Sequence, residues 1–147
     1  MDPILERLQF HIEGTGAKMQ DEEPDDTPET YLKWLETAVY VDEPVGLFSI
    51  VIWALGFFPM QSAQAIDYVD RCITVLLSSG AIPCRPCGQP GPEWIETTKY
   101  GSDPDHIRAA VLAEWIADGG GMIAHWSGPF FGAPRDVALP NGIERQG

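Results

Sequence analysis

The chain has 147 residues, 44% of them apolar, and a net charge of −13 from 22 acidic and 9 basic side chains. That length builds one domain with a core that needs no covalent staples. An acid surplus of this size repels nucleic-acid phosphates and anionic membranes and attracts basic proteins, so no nucleic acid and no membrane is expected among its partners.

The surplus is uneven: residues 1–43 hold 12 acids and 3 bases, residues 44–147 hold 10 acids and 6 bases. Met1-Asp-Pro-Ile-Leu-Glu6 has neither the basic start nor the apolar run of a secretory signal. Cys72, Cys84 and Cys87 are an odd number, so a disulfide framework is not expected and the reading is a reducing cytoplasm.

Asp2-Pro3 opens a short helix with Ile4, Leu5, Leu8 and Ile12 on one face, closed by Gly14-Thr-Gly16. Asp21-Glu-Glu-Pro-Asp-Asp26 has too little apolar content to pack and reads as a solvated linker. Thr27-Pro28-Glu29 repeats the helix-start signal for 28–41, with Tyr31, Leu32, Leu35, Ala38 and Val39 as the buried stripe. The run 45–58 is apolar on every side, contains Gly46 and Gly56, and stops at Pro59; it is shorter than a bilayer span, which predicts a central core helix.

A third helix is predicted over 62–79, with Ser62 as cap, Ile66, Val69, Ile73, Leu76 and Leu77 on one face, and Gly80 as stop. Ala81-Ile82 and Trp94–Tyr100 read as two strands joined by a proline- and glycine-rich loop, a small β wing. Ser102-Asp-Pro104 starts a helix to Asp118 that turns Ile107, Val111, Leu112, Trp115 and Ile116 inward, and Met122–Trp126 reads as a strand. Residues 132–147 read as a loosely held tail. The expected fold is α+β: one mainly helical, winged-helix-like domain over 1–147, made of a short helix plus acidic linker (1–27), a helical and β core (28–131) and the tail.

Cys84-Arg-Pro-Cys87 is the one motif-like spacing. It offers two thiolates where tetrahedral zinc needs four ligands, and Gly88-Gln-Pro-Gly-Pro92 after it forbids the helix a redox pair uses. A zinc- or thiol-dependent enzyme using Cys84 and Cys87 stays as an alternative, whereas the preferred reading has no cofactor and no catalytic residue. His11, His106 and His125 are scattered, and Glu114 and Asp118 share a helix face as solvent-exposed acids. The helix that would enter a DNA groove carries Asp67 and Asp70 against Arg71, which cannot neutralise several phosphates.

The pattern Leu47-Phe-Ser-Ile-Val51, Phe58-Pro59, Leu76-Leu-Ser-Ser-Gly80-Ala-Ile82, then Ile107, Glu114-Trp115 and Ile123-Ala-His-Trp126, resembles small bacterial winged-helix-like proteins similar to immunity proteins of polymorphic and contact-dependent toxin systems. The resemblance covers about residues 44–131 and implies a non-enzymatic antitoxin that binds a cognate toxin, often a basic nuclease. The alternative is a winged-helix-like regulatory module acting through protein contacts. The residues expected to meet a basic partner are Asp21, Glu22, Glu23, Asp25, Asp26, Glu29 and Glu36, with Trp94, Tyr100 and Trp126 as aromatic anchors.

Overall fold

The computed structural model describes residues 27–41, 43–88, 90–124, 127–143 and 145. The predicted helix at 1–12 and the acidic run 21–26 lie outside them. Helix α1, Pro28–Leu35, starts on a reciprocal cap: Thr30 N–H donates to Thr27 Oγ1 at 3.1 Å, and Thr27 N–H donates to Thr30 Oγ1 at 2.8 Å. The expected single helix over 28–41 is broken. Glu36 and Thr37 donate to carbonyls three residues back, Lys33 and Trp34, which tightens the turn, and α2, Ala38–Val41, resumes beyond it.

Strand β1 is only Val45–Gly46, and it shortens the central helix, α3, to Leu47–Phe57. Eleven residues rise about 16 Å, roughly half the thickness of a bilayer core, and among the described residues no helix is long and apolar enough to cross a membrane. Instead Leu47, Ile50, Val51, Ile52, Trp53 and Ala54 are all buried. α1 packs on one side and α4, Ala63–Ser78, on another.

α4 is capped by Ser62, whose Oγ accepts from Ala65 N at 3.0 Å. It closes with Gly80 donating to Leu77 and Ala81 to Leu76, around the positive φ of Gly80. α5, Pro104–Ala117, begins on Asp103 and packs on α4 through Ile107, Val111 and Trp115. Ile116, predicted to face the core, is 44% exposed.

The sheet is larger than the expected two-stranded wing. β2, Ile82–Pro86, and β3, Trp94–Glu96, form the predicted hairpin, but β4, Phe130–Gly132, inserts between β1 and β2. The order is β1-β4-β2-β3, all antiparallel, with Phe130 opposite both Gly46 and Cys84. Residues 97–100 leave the predicted second strand for a turn, and 122–124 are not a strand; His125 and Trp126 lie outside the described residues.

Successive strand residues point to opposite faces, so Phe131 joins the main helical core while Phe130 joins a second cluster with Cys84 and Val137. That second cluster corrects the tail read as loose over its first part, up to Ala138. After a 3-10 turn at Pro134–Asp136, Val137 is 2% and Ala138 4% exposed. Ala138 N donates to Trp94 O and Glu96 N to Ala138 O, each at 2.9 Å, and Arg145 Nε donates to Val137 O at 3.2 Å. The segment is a lid on the outer sheet face, held by backbone bonds that composition does not reveal.

Phe130 lies over Gly46: a Cβ there would stand 2.8 Å from Phe130 Cε2. Gly46→Ala is expected to destabilise the fold by about 1–3 kcal/mol through overpacking. Adding Phe130→Leu should recover part of that loss, a non-additivity typical of residues in contact. Urea unfolding of the two single variants and the double variant measures it.

Candidate functional site

The expected site residues fall into three groups. Asp21, Glu22, Glu23, Asp25, Asp26 and Trp126 lie outside the described residues. Glu29 and Glu36 are exposed at opposite ends of α1, Glu29 in the first turn and Glu36 at the C-cap, 3.9 Å from Lys33 Nζ. Trp94 and Tyr100 part company. Tyr100 is 5% exposed and its hydroxyl donates to Glu114 Oε1 at 2.6 Å, so it offers no face to a partner. Trp94 is half-buried on the edge strand β3, its ring 4.9 Å from that of Phe130.

Glu114 departs from the expected solvated acid. Lys99 Nζ approaches its Oε2 at 2.8 Å, and Tyr100 bonds its other oxygen. Lys99 first and Tyr100 second hold its carboxyl below the usual glutamate range, while burial and then Glu114 push the Tyr100 phenol up. A depressed folded-state pKa stabilises the protein above the unfolded value and stops doing so as pH falls through the folded one. The wild type should therefore out-melt Glu114→Gln above pH about 4.3, the ordinary glutamate value, and lose that advantage on further acidification. Thermal melts across that range give the comparison.

The Cys84-Arg-Pro-Cys87 spacing straddles the end of β2. Cys84 is fully buried against Phe130 and Val137, whereas Cys87 is half-exposed beyond the strand. Burial, with the Asp136 and Glu96 carboxylates adding to it, pushes the Cys84 thiol up to about 12, and burial does the same to Cys72. Both thiols are protonated at neutral pH and unreactive as nucleophiles. Among the described residues no group of three or more His, Cys, Asp or Glu is placed to hold a metal ion. His106 is exposed at the start of α5, where Asp103 caps its backbone N–H. Iodoacetamide is expected to label Cys87 in the native protein and Cys72 and Cys84 only after denaturation; mass spectrometry of the labelled peptides tests this order.

A cleft of about 400 Å³ lies where the segment before β1, the start of β3 and the C-terminal lid meet. Glu43, Glu93, Trp94, Arg135, Asp136 and Arg145 line it, with Pro44 and Pro92 as rigid walls. Its arginines are occupied. Arg145 pairs with Glu96 and bonds Val137 O; Arg135 bonds the Tyr40 carbonyl, lies 3.6 Å from Asp136 Oδ2 and sits over the Tyr40 ring. Glu43 and Glu93 are exposed and have no ion-pair partner among the described residues. Sequence reasoning missed this cleft because half of it comes from the tail read as loose; Glu93-Trp94 beside a proline pair was the only local signal.

The same economy of cations extends over the described surface. Lys33, Lys99, Arg108, Arg135 and Arg145 each face a carboxylate within the chain, leaving Arg71 and Arg85. Arg108 bonds Asp70 Oδ1 at 2.8 Å, which raises the guanidinium pKa. Comparison with protein-family models, curated proteins and solved structures finds no match.

Proposed function

We propose that this chain is a non-enzymatic, cytoplasmic binding protein that captures a basic protein, in the manner of an immunity or antitoxin protein neutralising its toxin. The observation that carries the reading is the disposition of charge. Among the described residues five of the seven cations are paired with carboxylates within the fold, and the chain as a whole carries an acid excess of net −13. Exposed ion pairs of this kind add only about 0–1 kcal/mol each to stability. Their consequence lies in the field: among the described residues only Arg71 and Arg85 are left without a carboxylate partner to oppose an approaching basic surface. The buried, protonated thiol of Cys84 supports binding over thiol chemistry.

A winged-helix-like regulatory module acting through protein contacts is the second reading. It is favoured by the β2–β3 hairpin that follows α4. Gene context separates the two: immunity predicts, immediately upstream, a large secreted protein with a variable C-terminal domain, whereas a regulator does not.

The acidic run is the expected encounter element. With the C-terminal domain of the upstream product as partner, Asn and Gln in place of Asp21, Glu22, Glu23, Asp25 and Asp26 should slow association several-fold at low salt, flatten its salt dependence and leave dissociation nearly unchanged. Stopped-flow kinetics at two salt concentrations test it. Unchanged association at low salt would reduce the run to a solvated linker, and absence of binding by the unaltered chain would remove the immunity reading.

A further inference from the structure

We infer that the cleft between β3 and the C-terminal lid is a receptor for a single basic side chain, an arginine or lysine presented by the protein partner, seated on Trp94 between Glu43 and Glu93. The inference rests on the proposed capture of a basic protein and gives that capture a place. Three features of the cleft carry it.

The first is the balance of occupied and open charge. Two arginines line the cleft, which on composition alone would suit an anion. Both are already engaged: Arg145 by Glu96 and the Val137 carbonyl, Arg135 by the Tyr40 carbonyl and Asp136. An anion would have to compete with these internal acceptors. Glu43 and Glu93 have no ion-pair partner among the described residues, so the charge that these residues leave open to a ligand is negative.

The second is the aromatic wall. Trp94 is half-buried, lines the cleft and packs its ring on that of Phe130, 4.9 Å between centroids. A cation over an indole face is attracted by the ring quadrupole, and a guanidinium stacks on it as well. A carboxylate beside such a ring can take the same group through charge-assisted hydrogen bonds.

The third is rigidity and size. Cys87 N donates to Glu93 O, Ala138 N to Trp94 O and Glu96 N to Ala138 O, each at 2.9 Å, so the β3 and lid sides of the cleft are held by backbone bonds. Pro44 and Pro92 stiffen the approaches. A volume of about 400 Å³ is at the small end of ligand sites. It suits one long side chain with its flanking backbone.

The test uses the full chain and three blocked tripeptides: acetyl-Gly-Arg-Gly-amide, its citrulline analogue, which keeps the shape and loses the charge, and a phosphoserine analogue. Binding is read by ¹H–¹⁵N NMR on the Trp94 indole N–H, assigned with Trp94→Phe, and on the backbone amides of 93–96 and 137–138. The arginine peptide is expected to shift these signals saturably, with the citrulline peptide far weaker and the phosphoserine peptide silent. Glu43→Gln with Glu93→Gln should weaken the arginine peptide on the order of tenfold, as loss of charge-assisted contacts does. Both residues are exposed, and an unchanged amide spectrum outside the cleft checks that the variant is folded. Equal shifts from arginine and citrulline, shifts from phosphoserine alone, or none in the cleft would overturn the inference.

Failure of the wider reading looks different. If the upstream toxin domain binds the wild type and the Glu43/Glu93 double variant equally well, capture stands and the cleft is not its seat. If the arginine peptide binds while no toxin domain does, the receptor stands and the immunity reading falls.

Discussion

An eleven-residue helix with no polar face sets the terms for everything around it. Leu47–Phe57 can be stable in water only if its whole circumference is covered. α1 and α4 supply two sides, and Tyr31 stacks on Trp53 with ring centroids 4.8 Å apart. The covering helices also bring their polar groups to order: the Tyr68 hydroxyl donates to Pro28 O at 2.7 Å, tying α4 to the first turn of α1. Desolvation there pushes the phenol pKa up, with Cys72 adding to it, so the hydroxyl stays a donor. The N-terminal end of the helix receives β4 through Leu47 N donating to Pro129 O at 3.0 Å. The sheet is thus docked on the helix it helps to cover.

How far the sequence reveals this fold follows from the range of the interactions. α4 and α5 are set by signals within a turn of each helix end: Ser62 and Gly80 for one, Asp103, Pro104 and Gly119 for the other. Those signals are local, and both helices stand within two residues of where periodicity puts them. The break in 28–41 is equally local, but Glu36-Thr37 carries no proline or glycine to announce it. The sheet behaves differently. β1 is two residues long and β4 three, and each is a strand because the other is there, across more than eighty residues of chain. No pattern of period two can be read in two residues. A hairpin such as β2–β3 is legible, whereas a strand inserted from the far end of the chain is not.

The candidate site repeats that division. Glu29 and Glu36 are exposed where composition places them, since a charged residue on a helix surface needs no tertiary knowledge. Tyr100 is not, because its partner Glu114 is contributed by the next helix and turns an apparent surface aromatic into a core residue. Cys84 shows the same effect on chemistry. Its spacing to Cys87 suggests a pair, but Cys84 lies under Phe130 and Val137 while Cys87 is beyond the end of the strand, so burial disarms one of the two thiols. The apolar lid that does this also builds one wall of the cleft.

That shared wall links stability to recognition. Val137 and Ala138 close the outer face of the sheet, and Trp94, which packs against the same cluster, lines the cleft. The proposed receptor, made from an edge strand and a returning segment, would be pre-organised by the same bonds that protect the edge. On the proposed reading the aromatic surface supplies a place to dock and the net negative charge supplies the approach; the two demands then fall on different parts of the chain. Affinity and encounter can therefore be altered separately, by changes at the lid and β3 in one case and by changes in net charge in the other.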